Sequence, residues 1–107
     1  MWGSTSSMTY RLGFVEDAKK EWRKLAPDIK QQFRKILERR LEEPRVEKHR
    51  LSGMPDCYKI KLRSAGYRLV YKVVDDTIEV RVIGIGRRDG EIYSNASERQ
   101  GKPSVPE

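Results

Sequence analysis

The residues with the most chemical potential in this chain are lysines and arginines placed at a spacing of two. In Tyr58-Lys59-Ile60-Lys61-Leu62-Arg63-Ser64-Ala65-Gly66-Tyr67-Arg68-Leu69-Val70-Tyr71-Lys72, strand alternation sends Tyr58, Ile60 and Leu62 to one face and Lys59, Lys61 and Arg63 to the other. With Ala65-Gly66 as the central pair of a tight turn, Arg63 faces Arg68, Lys61 faces Val70 and Lys59 faces Lys72, so five cations share one surface. Like charges opposed across a sheet destabilise it by roughly 0.2–1 kcal/mol per pair. Folding gains nothing from the arrangement, which points instead to a bound anion. Crowded cations lower the pKa of a lysine, and a neutral lysine can act as a general base. Guanidinium groups beside it would stabilise the added charge of a pentacoordinate phosphate.

Other catalytic outfits are excluded by residue type. His49 is the sole histidine, so two-histidine acid–base chemistry is ruled out, and no His, Cys, Asp and Glu cluster has metal-ligand spacing. No metal and no cofactor are expected. The chain has no phosphate-cradling Gly-x-x-x-x-Gly-Lys loop, and Gly84-Ile85-Gly86 reads as the end of a strand. Cys57 is the only cysteine, which forbids an internal disulfide and fits a cytoplasmic protein with a buried structural thiol. No run is long and apolar enough for a membrane span, nor does an amphipathic basic helix favour a membrane surface.

Charge is concentrated as well as patterned. The 107 residues carry a formal net charge of +7, with 23 basic against 16 acidic side chains. Between Arg45 and Lys72 lie eight Lys or Arg, at 45, 48, 50, 59, 61, 63, 68 and 72, against only Glu47 and Asp56, a local balance of +6. That is the electrostatic footprint of a nucleic-acid binder. Arg45, Lys48, Arg50, Arg63, Lys72 and Arg81 are the candidate RNA-binding residues around the hairpin. From the residues alone, a non-catalytic RNA-binding module and a metal-free enzyme acting on RNA both fit.

The elements that must position these groups follow from periodicity. Tyr10-Arg11-Leu12-Gly13-Phe14 alternates as a short strand, and Asp17 can open a helix with Ala18, Trp22 and Leu25 on one face. Pro27 suits the first turn of a second helix, where Ile29, Phe33, Ile36, Leu37 and Leu41 keep helical spacing. Residues 45–55 read as a basic connecting loop. After the turn Val74-Asp75-Asp76-Thr77, a further strand begins at Ile78; Tyr58, Val73 and Ile78 form one apolar row, Ile60, Tyr71 and Val80 the next, and Leu62, Leu69 and Val82 a third. Arg81 joins Lys61 on the cationic side. The expected fold is α+β: a small twisted antiparallel β-sheet with two N-terminal helices packed on its apolar face and the cationic face open. Residues 1–7 read as a flexible leader or cloning remnant, 8–96 as the domain, and 97–107 as a disordered tail.

Three stretches carry a resemblance. Ala18-Lys19-Lys20-Glu21-Trp22-Arg23-Lys24-Leu25, Leu51-Ser52-Gly53-Met54-Pro55-Asp56-Cys57-Tyr58-Lys59-Ile60-Lys61-Leu62-Arg63 and Gly66-Tyr67-Arg68-Leu69-Val70-Tyr71 resemble the RelE toxins of bacterial type II toxin–antitoxin pairs, over about Met8 to Ser94. The resemblance implies the RelE-like toxin fold and a ribosome-dependent mRNA endonuclease that cuts codons in the A site. It implies attack by a 2′-hydroxyl on the adjacent phosphate, leaving a 2′,3′-cyclic phosphate and a free 5′-hydroxyl without a metal. The family's reactive set falls on Lys59, Lys61, Arg68, Arg88 and Tyr93. By that resemblance Lys59 is the general base, Arg88 the donor to the leaving oxygen, Lys61 and Arg68 hold the phosphate, and Tyr93 orients or stacks on the nucleotide. The implied partners are the ribosome, with its ribosomal RNA, mRNA and a cognate RelB-like antitoxin; the toxin alone is expected to be a monomer. An RNA- or ribosome-binding protein of the same fold with weak catalysis, and a topoisomerase-binding toxin of the ParE type, are the alternatives.

Overall fold

The computed structural model describes residues 9–87 and 91–105. The expected leader at 1–7 and Arg88 lie outside the described residues. The element order is β1 (Arg11–Val15), α1 (Glu16–Arg23), α2 (Pro27–Glu42), a 3-10 turn (Glu47–His49), β2 (Cys57–Leu62), β3 (Tyr67–Val74), β4 (Glu79–Arg87), α3 (Ile92–Glu98) and β5 (Ser104–Val105). The five strands form one sheet in the order β2-β3-β4-β1-β5. The α+β reading holds, with one correction to the sheet. It is mixed, because β1 runs parallel to β4, pairing Leu12 with Val80 and Phe14 with Val82. The helical excursion α1–α2 and then β2 and β3 separate these two strands, which gives the chain the length a parallel pair requires.

The two N-terminal helices cover one face as expected. Ala18 and Trp22 of α1 and Phe33 and Leu37 of α2 are buried against Tyr58, Ile60, Leu69, Tyr71, Val80 and Val82 of the sheet. Trp22 meets Phe14 with ring centroids 5.3 Å apart, and Tyr58 stacks on Tyr71 at 5.7 Å. Cys57 is fully buried, and its burial pushes the thiol up to about 11, which bears out a structural thiol over a reactive one.

Strand parity is as read, but both hairpin registers are displaced by two residues. Lys61 faces Arg68, Lys59 faces Val70 and Cys57 faces Lys72. The loop is Arg63-Ser64-Ala65-Gly66 and not a two-residue turn: Gly66 at φ 71 lets its N–H donate to the Leu62 carbonyl at 2.9 Å, which takes Arg63 off the ladder. In the second hairpin Val73 faces Val80 and Tyr71 faces Val82. Ile78 is therefore not in a core row; it sits in the turn at φ 51 and is exposed. Leu62 closes its row with Tyr67, and Leu69 lies between Ile60 and Ile85, because Ile83 is an extra residue where the register shifts between Val70 and Tyr71.

The cationic face is only partly open. Val70 and Gly84 interrupt it, and α3 lies over them with Ile92 and Ala96 buried; a Cβ at Gly84 would stand 3.0 Å from the end of Ile92. The chain after Ser97 also departs from a disordered tail. Arg99 pairs with Glu21 at 3.0 Å and Lys102 with Asp17 at 2.9 Å, and β5 adds to β1 through Phe14–Val105 and Val15–Ser104. Glu21 is doubly used, since β4 runs past the end of β1 and the Ile85 N–H donates to its carboxylate at 3.0 Å.

Candidate active site

What remains uncovered is the β2–β3 end of the cationic face. The shifted register places Lys61 directly opposite Arg68, with Lys59 one pleat away on the same face. Tyr93, in the first turn of α3, reaches across, and Arg68 Nη1 donates to its hydroxyl at 2.9 Å. Lys59, Arg68 and Tyr93 border a cleft of about 380 Å³ between the hairpin, α3 and the loop Arg50–Met54, and Lys61 stands beside it across from Arg68. That loop is held by real structure. Met54 is buried, Arg50 bridges to Tyr58, and the Leu51 N–H donates to the Cys57 carbonyl at 2.9 Å.

Electrostatically the cleft is built to receive charge. Repulsion from Lys59, then from Arg68, holds the Lys61 pKa below the ordinary lysine value. Among the described residues no carboxylate pairs with Lys59, Lys61 or Arg68. An entering phosphodiester would offset that repulsion. At the rim, Arg87 lies over the Tyr67 ring at 5.3 Å, directly across from it in register, which fixes the end of β4.

The other expected RNA contacts are dispersed. Arg50 lines the cleft and is loosely paired with Glu47 at 3.6 Å, while Lys48 and Arg63 line a second cleft on the outer side of β2. Arg45 lies at the opposite end of the hairpin, held by Asp75 and Asp56 at 3.0 and 3.2 Å, which raises its pKa. Lys72 donates to the Gln100 carbonyl at 3.2 Å. Arg81 is tied to Glu79 at 2.9 Å and to the Lys102 carbonyl at 3.1 Å. The structure thus assembles Lys59, Lys61, Arg68 and Tyr93, and occupies Lys72 and Arg81 in holding the C-terminal segment. Sequence reasoning missed Arg40, buried beneath β2; its signal was a charge seven residues after Phe33 on the apolar stripe of α2. Among the described residues no group of three or more His, Cys, Asp or Glu could hold a metal ion.

A family model described as the ParE toxin of the type II toxin-antitoxin system parDE matches residues 13–91. The chain is also 55% identical over 93 residues to the mRNA interferase toxin RelE of Escherichia coli K12, an alignment covering 86% of this chain and 98% of that one. The chain belongs to the RelE family of toxins. A mutant of E. coli toxin RelE in the free state superposes with a TM-score of 0.80 at 54% identity, covering 86% of this chain and 98% of that one. A chain of the intact E. coli RelBE toxin-antitoxin complex does so with a TM-score of 0.73 at 54% identity, covering 76% and 99%. In this RelE-family chain the four assembled residues lie on the two hairpin strands and on α3. Their mutual geometry therefore depends on how α3 seats on Gly84. Among the described residues no helix is long and apolar enough to cross a membrane.

Proposed function

We propose that this chain is an mRNA-cleaving toxin, a metal-independent endoribonuclease that cuts codons in the ribosomal A site and so blocks translation. The observation that carries this reading is the convergence of Lys59, Arg68 and Tyr93 on one cleft with no carboxylate among its described walls, with Lys61 directly opposite Arg68 in register and a 2.9 Å bond from Arg68 to Tyr93. Lys61 and Arg68 neutralise the scissile phosphate. Lys59 takes the proton of the 2′-hydroxyl, whose oxygen bonds to phosphorus while the bond to the 5′-oxygen breaks. Arg88 returns a proton to that leaving oxygen. The products are a 2′,3′-cyclic phosphate and a free 5′-hydroxyl.

Cations alone attract RNA without aligning any particular 2′-hydroxyl with its leaving group. Such alignment is worth roughly 7–11 kcal/mol of barrier in favourable cases, and the decoding site supplies it by fixing the codon. The cognate antitoxin is RelB-like, with an acidic segment that folds on the toxin, and the pair works in the cytoplasm. Primer extension on programmed ribosomes, with naked mRNA alongside and EDTA present at a level that spares the ribosome, tests the reading. Cleavage confined to the ribosomal sample with cyclic-phosphate ends supports it. Ends bearing a 5′-phosphate exclude the chemistry, and equally fast cutting of naked mRNA removes the ribosome dependence.

A further inference from the structure

Arg40 lies on the buried face of α2 at 9% exposure. Its guanidinium sits 5.8 Å over the Tyr71 ring, donates to the Tyr71 hydroxyl at 2.9 Å and to the Lys59 carbonyl at 3.5 Å, and has no carboxylate partner among the described residues. The fold does not need this charge. The Tyr71 hydroxyl has its own acceptor in the Pro44 carbonyl at 2.6 Å, and burying an unpaired cation costs more than burying an apolar side chain of the same volume. Arg40 instead opens onto a cleft of about 390 Å³ between α2, the 3-10 turn and the outer edge of β2, whose other charged or polar walls are Lys48, His49, Lys59, Lys61 and Arg63. Burial, then Arg40, Lys48, Lys59 and Lys61, hold the His49 pKa below its ordinary value. Every charged group in the cleft is positive, and none is balanced from within it.

We infer that this second cleft binds a phosphodiester of the same RNA strand whose scissile phosphate lies at Lys61 and Arg68, with the Arg40 guanidinium as its floor. This rests on the RNA-cleaving reading above. Continuity carries the strand assignment: Lys59 borders both clefts, and Lys61 lines the second while facing Arg68 of the first across the hairpin, so a strand leaving the catalytic cleft over the β2 edge meets Arg40 next. Arg40, buried and preorganised by Tyr71, holds its fork in place before the phosphate arrives.

The test uses the full chain and the variant Arg40→Met. Inorganic phosphate is titrated at constant ionic strength while the His49 ring and Arg40 Nε–H resonances are followed by NMR. A short RNA with a 2′-deoxy group at the cut position then gives the salt dependence of binding. In the native protein both resonances should move. Arg40→Met should remain folded, lose the His49 response, and lower the slope of log K against log salt by about 0.7, the share of one phosphate on a single strand. Lys48→Ala should lower the same slope, and it decides the matter should Arg40→Met not fold. Unchanged slopes in folded variants overturn the proposal. So does a Glu-rich peptide moving these resonances where phosphate does not, or an effect confined to ribosome binding, which would assign the cleft to ribosomal RNA. Cleavage by the native chain is measured separately. Its absence sinks the nuclease reading and leaves the phosphate titration standing, whereas normal cleavage with a silent cleft sinks only this inference.

Discussion

Tyr93→Phe removes one hydroxyl and keeps the ring, so it separates the two roles an aromatic residue could have at this site. In the structure that hydroxyl is the partner of Arg68 Nη1 at 2.9 Å. If Tyr93 works by holding the guanidinium against the phosphate, losing the bond costs what a hydrogen bond to a charged group is worth, about 1.5–3 kcal/mol. That corresponds to a roughly 10- to 150-fold fall in the rate of cleavage. If Arg68 stabilises the charge of the transition state as proposed, Arg68→Ala should cost about 10²- to 10³-fold. The double variant should then be no slower than Arg68→Ala, because the hydroxyl has nothing left to orient. Single-turnover cleavage on programmed ribosomes at saturating toxin gives the four rates. Additive effects, agreeing within about 0.3–0.5 kcal/mol, would refute the positioning role, and a Tyr93→Phe rate equal to the native one would leave only base stacking.

Lys61→Met should abolish most cleavage while making the domain more resistant to urea at neutral pH, since Lys61 stands opposite Arg68 and its pKa is depressed first by Lys59. A folded-state pKa below the unfolded value means that native stability rises as pH climbs from the one to the other, so the advantage of Lys61→Met should shrink toward pH 10.5; a constant gap contradicts the repulsion. The Cys57 thiol, fully buried and pushed up to about 11, should resist a disulfide reagent at pH 8 until urea unfolds the chain, and rapid labelling of the native protein would contradict its burial. Gly13→Ala should lose about 1–3 kcal/mol in urea unfolding, because its Cβ would collide with the Glu79 carboxylate that binds Arg81 at 2.9 Å; an unchanged midpoint would show that this latch yields freely.

Much of the fold was legible because its signals are local. The alternation of Tyr58, Ile60 and Leu62 with Lys59 and Lys61 settles which side chains meet the helices, whatever the partner strand. Register is another matter. A shift of two residues preserves every in-or-out assignment, so the pattern could not distinguish Arg63 opposite Arg68 from the Lys61–Arg68 pair that the Gly66 turn enforces. The parallel pairing of β1 was equally silent, because five residues carry a face but no direction for a partner. Helix α3 offers two buried apolar positions, Ile92 and Ala96, too few for a period, and the segment after it is held by Arg99 to Glu21 and Lys102 to Asp17, pairs about eighty residues apart in the chain.

The site divides along the same physical line. Lys59, Lys61 and Arg68 were visible from parity, since like charges on one pleat have no folding rationale. Tyr93 came from the family resemblance alone, and only the packing of Ile92 and Ala96 over Gly84 explains why it reaches Arg68. Arg40 shows the opposite failure. A helical stripe is read by its apolar members, so Phe33, Leu37 and Leu41 define the face and a charge among them is passed over as solvated. Yet a guanidinium on that face has to be satisfied by whatever covers the helix. Here it finds a hydroxyl, a carbonyl and an open basic cleft, with no carboxylate among the described residues. A charge retained in a buried stripe, without a partner to neutralise it, is therefore a more specific sign of an anion than another lysine added to an already basic surface.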